Sequence, residues 1–477
     1  MRDKPKPSSF VEQAAILAAA SLFVRFIGFL YRLPLTTLIG DEGNAYYAAG
    51  YNIYTFALIL SSMGLPAAIS KLVSERIALK QFKNAHEVFR VAMKIAMIGG
   101  AACSIFLALG AGWLARVTGY PEAVYAIRTL SPTIFIVAVM AVYRGYFQGM
   151  NTTVPTAVSQ AVEQVFNAVF SIWLAYLFFD AAKIEFSAAG GTAGTGVGAV
   201  AGLLVIVGIY ALLSKDIKAR IDGEQRRMFH SRSFSSYDVK RPNERNRFDE
   251  NQRVLAKEII KIAFPIIIGT AIFSIANFID MTMAQSRLEA SGAFDYGEIK
   301  VLYGQFTGKY VLLTTLPVSL STALAVAAVP SIAGSKMVSD HAAVKGKINM
   351  ALRLSMIVSI PAAVGLGVLS DPILKLLIPR HPEGGILLRY GVAAIIMLAL
   401  VQTVTGILQG IGKVNVPVVG ALLGTLLKVP LNYFLIANPK INIIGAVLSS
   451  CAMYLVAALV GIYFLNKYTG ITPDIKG

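Results

Sequence analysis

Two arginines, Arg25 and Arg32, stand inside the first apolar stretch of the chain, which runs to Pro34. Seven residues apart on a helix, they share one face, about 10 Å apart along the axis. A guanidinium inside hydrocarbon costs from about 2.5 kcal/mol upward, so such groups face a water-filled interior or reach out to the headgroups. In a cavity they would mark a pathway for something anionic. At a membrane surface, Arg32 in particular would only be an anchor.

Other charges interrupt later apolar stretches. Glu163 lies in Gln160-Ala-Val-Glu163-Gln164. It needs a partner or a proton, and serves either a cavity contact or a polar helix contact. Asp280 lies in Asn277-Phe-Ile-Asp280, and Lys428 in Thr425-Leu-Leu-Lys428. Opposite buried charges in one half of the chain invite pairing, and the ammonium could stand where a related transporter binds a cation. Lys309, in Gly308-Lys309-Tyr310, is either a contact for an anionic group or a snorkelling side chain. Arg144 reads as an interfacial anchor. Gln148, in Gly145-Tyr-Phe-Gln148-Gly149, joins the candidate substrate contacts.

No catalytic constellation emerges. The string Gly194-Thr-Gly196-Val-Gly198-Ala opens an apolar segment instead of following a strand, so close helix packing explains it better than a dinucleotide site. Asp41-Glu42 is the only compact acid pair in an outer loop, too little for a glycosyltransferase. Four scattered histidines show no metal-ligand spacing, and Cys103 and Cys451 lie in apolar segments as small buried hydrophobes. No enzyme activity, metal or cofactor is expected.

The elements that must position these groups are membrane spans. Of 477 residues, 56% are hydrophobic and 14% charged, against about 25% charged in soluble proteins. Twelve apolar segments are long enough to cross a bilayer: 10–39, 44–70, 90–116, 122–147, 154–179, 189–213, 255–284, 301–333, 350–370, 385–410, 415–437 and 441–466. Pro66, Pro132, Pro265, Pro317 and Pro361 interrupt spans and suggest kinks lining a cavity.

The net charge of +17 belongs to loops. It sets topology and attracts anionic lipid headgroups, and does not call for nucleic acid. Positive charge gathers in the N-terminal tail, between Lys71 and Lys94, across 215–253 and from Lys336 to Lys347. Both termini are therefore expected in the cytoplasm. No cleavable signal peptide is evident. Residues 215–253 carry eleven lysines and arginines, and read as a polar cytoplasmic linker between 1–214 and 254–477.

The two halves resemble each other. Gly145-Tyr-Phe-Gln148-Gly149 matches Gly406-Ile-Leu-Gln409-Gly410, each followed by a proline, Pro155 or Pro417. Leu65-Pro66 likewise matches Leu316-Pro317. Six spans in each half start the second on the same side as the first. The expected fold is all-α and polytopic: two six-helix lobes, related by a pseudo-twofold along the membrane normal, with a V-shaped cavity between them.

Arg25-Phe-Ile-Gly28-Phe-Leu-Tyr-Arg32, then Ile39-Gly-Asp-Glu-Gly43, resembles the start of the MOP flippase superfamily. The similarity is greatest to its SpoVB/YtgP polysaccharide-biosynthesis group, which belongs with the MurJ-type lipid II flippases. Ser62-Met-Gly64-Leu-Pro66 and Gly145-Tyr-Phe-Gln148-Gly149 also look like that group, and the resemblance spans essentially the whole chain.

The resemblance implies a cationic cavity for the pyrophosphate and sugar of an undecaprenyl-linked peptidoglycan precursor, with alternating access to the two sides. Arg25 and Arg32 match the family's first-helix arginines and carry over as headgroup contacts. There are departures. Val311-Leu-Leu-Thr-Thr315 stands where the Gram-negative branch has a charged cluster, which leaves Lys309 as the nearest substitute. Cavity charge is then concentrated on the first helix. Members commonly carry fourteen helices, so a chain ending at Gly477 after twelve is either truncated or handles the lipid tail differently.

The function expected is a flippase of the bacterial plasma membrane for a lipid-linked anionic oligosaccharide, lipid II foremost, with the cell-wall synthesis machinery as a partner. The rivals are a flippase for another polyprenyl-linked glycan and a MATE-type cation-coupled drug antiporter, whose cavity would be dominated by acids.

Overall fold

The computed structural model describes residues 10–233, 251–322, 341–411, 413 and 415–470. All regular structure among them is helical. Nine helices among the described residues are long and apolar enough to cross a membrane. Leu109 is 84% exposed and Leu212 81%. Side chains like these on the outside identify hydrocarbon as the solvent of the bundle, and the chain is a multi-pass membrane protein.

Helix α1 (Phe10–Leu58) is folded back on itself at Gly40, whose φ of 67° and ψ of −172° break the helical path. Only glycine takes that backbone freely. The first two expected spans therefore join with almost no loop. A π-helical turn at Ile59–Met63 follows, then α2 (Leu65–Ala78), where Pro66 sits in the first turn and needs no N–H partner. Next come α3 (Phe82–Val117), α4 (Val124–Gly149), α5 (Val154–Leu177) and α6 (Ile184–Ser233).

The second half starts with α7 (Gln252–Ala290), capped by Asn251. A capping box of Asp295 and Glu298 starts α8 (Tyr296–Gln305). A second π-helical turn at Phe306–Val311 leads to helix through 322. The rest is α9 (His341–Val368), the short α10 (Ser370–Leu377) and α11 (Gly385–Tyr390), then α12 (Val392–Gly410), α13 (Asn415–Ile436) and α14 (Ile444–Thr469). Each of the twelve expected spans falls mostly on helix; a turn at Gly391 divides the tenth between α11 and α12, 441–443 of the twelfth is a turn, and 323–333 of the eighth lies outside the described residues.

Two details differ from the sequence reading. Pro132, Pro265 and Pro361 lie inside continuous helices, and the sharp break is at a glycine. Helix α6 runs on through Ser233, into the segment assigned to a linker. Residues 215–233 are polar but contain no proline, so nothing in them ends a helix.

Helices α1–α6 pack chiefly on one another, as do α9 and α12–α14. Glycines bring helices close. A Cβ on Gly190 or Gly198 would lie 2.5 Å from a carbonyl oxygen of α5, and one on Gly194 would overlap the backbone of Ser171. The glycine-rich string is thus the α5–α6 seam. Gly145 and Gly149, from the repeated motif, press on Pro66 and Val73 of α2. The two halves meet where α1 crosses α8, and where α2 and α3 meet α7. At this second contact Arg76 reaches Glu258 at 3.3 Å and Lys94 reaches Gln252 at 2.9 Å.

Candidate functional site

A cavity of about 210 Å³ lies between the halves, bounded by α1, α7, the π turn after α8, α12 and α14. Its lining is largely aromatic and polar: Tyr47, Tyr51, Asn52, Asn277, Tyr303, Thr307, Tyr310, Thr315 and Tyr454, with Arg32 and Asp280. The α1 hairpin supplies two faces of it. Arg32 stands on the first limb, and Tyr47 and Tyr51 on the second.

Arg32 places its guanidinium 4.2 Å from the centre of the Tyr47 ring. The ring quadrupole holds the cation in place without neutralising it. Among the described residues no carboxylate forms an ion pair with Arg32. A positioned guanidinium in a cavity largely screened from water is a ready receptor for an oxyanion.

Arg25 does not join it. Its side chain is exposed, donates to Ser319 Oγ at 3.4 Å, and lines a separate apolar groove with Phe23, Phe26, Leu316 and Leu320. One helix face thus serves two places, the cavity and the lipid-facing seam between the first and eighth spans.

Asp280 and Lys428 form a buried knot at the cavity wall. Lys428 Nζ donates to Asp280 Oδ2 at 2.5 Å and to Ser450 Oγ at 3.0 Å, and Asn432 Nδ2 donates to Asp280 Oδ1 at 2.8 Å. The remaining lone pairs of the carboxylate are answered, which such a burial requires.

Lys309 lies elsewhere. It is fully buried, bonded to Asp41 at 2.7 Å and to the carbonyl of Glu383 at 2.9 Å. In this conformation its ammonium does not line the cavity. Glu163 is engaged by Arg144 at 2.6 Å, so Arg144 is an ion-pair partner and not only an anchor. Gln148 sits at the end of α4, away from the cavity lining.

The sequence reading missed a latch over the cavity at the Gly40 end. Beside the Asp41–Lys309 bond, Lys300 donates to Glu42 at 2.6 Å and to the Tyr46 hydroxyl at 2.7 Å. Gln305 donates to Asp41 at 3.1 Å, and Tyr296 to Glu122 at 2.8 Å. The signal was present: the acid pair between the first two expected spans, and two lysines nine residues apart near the eighth span. What was missing was the knowledge that these segments touch.

The two latch carboxylates respond to pH in opposite directions. Burial would push Glu42 up, but the Lys300 ammonium and Tyr46 hydroxyl outweigh it and hold the carboxyl below the usual range. Its contribution is present above the ordinary carboxylate range and is lost as pH falls through the lowered value. For Asp41, burial outweighs Lys309 and raises the value. Folding therefore favours its protonated form, a preference lost as pH rises through the raised value; above that, the Lys309 bond limits the cost of the buried charge.

The latch depends on close approach. A Cβ on Gly304 would overlap the carbonyl oxygen of Asp41, and one on Gly308 would meet the Asn44 side chain at 2.6 Å. Gly304→Ala should therefore weaken the closed arrangement by about 1–3 kcal/mol, read as a lowered melting temperature of the purified protein. An unchanged melting temperature would show that α1 and α8 are not held this closely.

Comparison with known proteins gives a consistent set. The family model described as polysaccharide biosynthesis protein matches residues 10–337. The lipid II flippase MurJ of Bacillus subtilis is 27% identical over 486 residues, covering 98% of this chain and 84% of that protein. Stage V sporulation protein B of the same organism is 24% identical, covering 98% and 86%. Among solved structures, an inward-facing multidrug resistance MATE family transporter of the MOP superfamily superposes with a TM-score of 0.74. It is 16% identical, with 98% of this chain and 100% of that one covered. A MOP superfamily transporter from Pyrococcus furiosus, described as having a binding pocket of reverse polarity, gives 0.67 at 16% identity, with 98% of each chain covered. At such identities the likeness concerns the fold alone.

Proposed function

The chain belongs to the polysaccharide biosynthesis protein family, within the MOP superfamily, and from that membership we propose that it flips an undecaprenyl-pyrophosphate-linked peptidoglycan precursor, lipid II, from the inner to the outer leaflet. The observation that carries the reading is Arg32: a positioned guanidinium, ion-paired with no carboxylate among the described residues, in a cavity between the two halves beneath a latch of ion pairs. The physical task is to move a polar, multiply charged headgroup across hydrocarbon while its tail stays in lipid. A cation inside a closable cavity replaces the water that the headgroup gives up.

In this reading the first lobe is 1–214, the linker 215–253 and the second lobe 254–477. Both termini face the cytoplasm of a bacterial cell, and the Gly40 end faces outward. Alternating access then opens and closes the latch. Arg32 takes the pyrophosphate, and Arg25 meets the headgroup at the seam between the first and eighth spans. Lys309, Glu163 and Gln148 act on substrate only in states that release them from their present surroundings. Asp280 and Lys428 form a fixed pair that keeps the second lobe's charge balanced. No chemistry is performed on the substrate. Anionic headgroups hold the basic loops, and the cell-wall synthesis machinery receives the product.

A MATE-type cation antiporter is the less supported alternative. Among the described lining residues the one acid is Asp280, and Lys428 already neutralises it.

The test is depletion of the protein, followed by location of the lipid-linked precursors. Lipid II should accumulate in the inner leaflet, and a plasmid carrying the parent gene should restore export. Arg32→Ala and Arg25→Ala should each fail to restore it while reaching normal abundance in the membrane. Normal export by Arg32→Ala would overturn the assignment. Accumulation of a different polyprenyl-linked glycan would replace lipid II as the substrate.

A further inference from the structure

The cavity holds more than a cation. Tyr47 and Tyr51, one helical turn apart, stack with ring centres 5.8 Å apart and planes within 11°. Arg32 covers Tyr47 at 4.2 Å. Tyr47 is buried, whereas Tyr51 remains 37% exposed and lines the cavity. The order is therefore guanidinium, buried ring, open ring. Tyr51 is braced on Tyr47, so little conformational freedom remains for a ligand to freeze out.

A flat aromatic face, backed by another and bordered by amides and hydroxyls, suits one class of ligand. A pyranose ring presents a C–H face that stacks on aromatic carbon and an equatorial rim of hydroxyls that need hydrogen bonds. Asn52, Asn277, Thr307 and Thr315 border the same cavity, and can supply donors and acceptors to such a rim. Asn52 already donates to the Tyr303 hydroxyl at 3.1 Å, which fixes its amide.

We propose that Tyr51 is a sugar-stacking platform beside the Arg32 anion site, so that the cavity recognises a hexose ring joined directly to a phosphate or pyrophosphate. Volume limits what fits. At about 210 Å³ the cavity is smaller than the roughly 300–1,000 Å³ of pockets that enclose drug-sized ligands. It accommodates the sugar nearest the phosphate and excludes the rest of a larger headgroup until the halves part. Tyr51 is then a specificity-determining residue: it separates glycosylated carriers from bare ones, which Arg32 alone cannot do. This deepens the flippase reading and rests on it.

The experiment measures binding to the full chain in lipid nanodiscs. The probes are farnesyl pyrophosphoryl-N-acetylhexosamine and farnesyl pyrophosphate, which share the tail and the pyrophosphate group; the sugar replaces one ionisable hydroxyl, so a preference for the glycosylated probe runs against charge. The parent should bind the glycosylated probe roughly tenfold more tightly, the order expected of one stacking contact. Tyr51→Leu should lose that preference and keep its affinity for farnesyl pyrophosphate. Tyr51→Phe, which keeps the ring, should keep the preference. Arg32→Gln should weaken both probes alike. A preference that survives Tyr51→Leu would overturn the platform, as would equal binding of both probes by the parent. If the parent binds neither probe, the flippase reading itself fails.

Discussion

Lys428→Ala should leave little folded protein. Lys428 is 2% exposed and Asp280 3%, so removal of the ammonium strands a carboxylate with only Asn432 to answer it. Breaking a buried pair from one side costs about 3–5 kcal/mol, against a total stability of about 5–15 kcal/mol. Asp280→Ala should be as damaging, because it strands the lysine. The combined replacement Asp280→Leu with Lys428→Met removes both charges and should recover most of the loss. The measurement is the fraction of monodisperse protein surviving a heat step, followed by size-exclusion chromatography. Single variants as robust as the parent would show that the knot contributes nothing. A double variant no better than the singles would show that the two charges do not act as a pair.

Neutralising the latch should expose the cavity from the Gly40 end. Lys309 is wholly buried and its carboxylate partner nearly so, whereas Glu42 is substantially exposed. The Asp41–Lys309 bond therefore dominates, and the Glu42–Lys300 bond adds less because solvent screens it. In Lys309→Met, Asp41 keeps only Gln305 as a side-chain partner and gains by turning out to water. With about 3 kcal/mol lost from the closed state, the open population should rise roughly a hundredfold. The reporter is Thr315→Cys, on the cavity wall, in a background with Cys103 and Cys451 replaced by serine. Its rate of modification by a membrane-impermeant thiol reagent applied from the side that the Gly40 end faces should rise accordingly. Glu42→Gln should raise the rate by a smaller factor. A rate unmoved by Lys309→Met would mean that the apolar contacts around Tyr303 and Phe306 close this end unaided.

These two clusters differ in how far the sequence disclosed them. Asp280 and Lys428 were paired from the sequence because each stands far from any other charge in its apolar span, and an unanswered charge in hydrocarbon is too costly to persist. The latch gave no such compulsion. Asp41 and Glu42 sit at a turn where water could satisfy them, and Lys300 and Lys309 lie near a span end where lysines reach headgroups. Only the packing of α1 against α8, which hinges on Gly304 and Gly308, brings them together. Glu163 was legible as a charge needing a partner, but Arg144 read as an interfacial anchor, so the pair they form was missed.

The helices themselves were legible because a bilayer demands long apolar runs. The place of the first break was legible too, because Gly40-Asp41-Glu42 parts two apolar runs; its tightness, a fold-back at one residue of positive φ, was not. The cavity's tyrosines read as ordinary span residues. Their role depends on which helix faces open inward.

The fold-back at Gly40 gives the first two spans the geometry of a lever. Arg32 stands eight residues before the pivot and Tyr47 seven after it, so the two arms are of nearly equal length, about 10–12 Å. Asp41 and Glu42 sit at the pivot itself. Anything that pries the guanidinium from the ring spreads the arms and twists the pivot, and with it the ion pairs that hold that end shut. Occupancy of the cavity and release of the latch are then two readings of one angle. By reciprocity, the factor by which bound substrate favours the open latch equals the ratio of substrate affinities in the open and closed states.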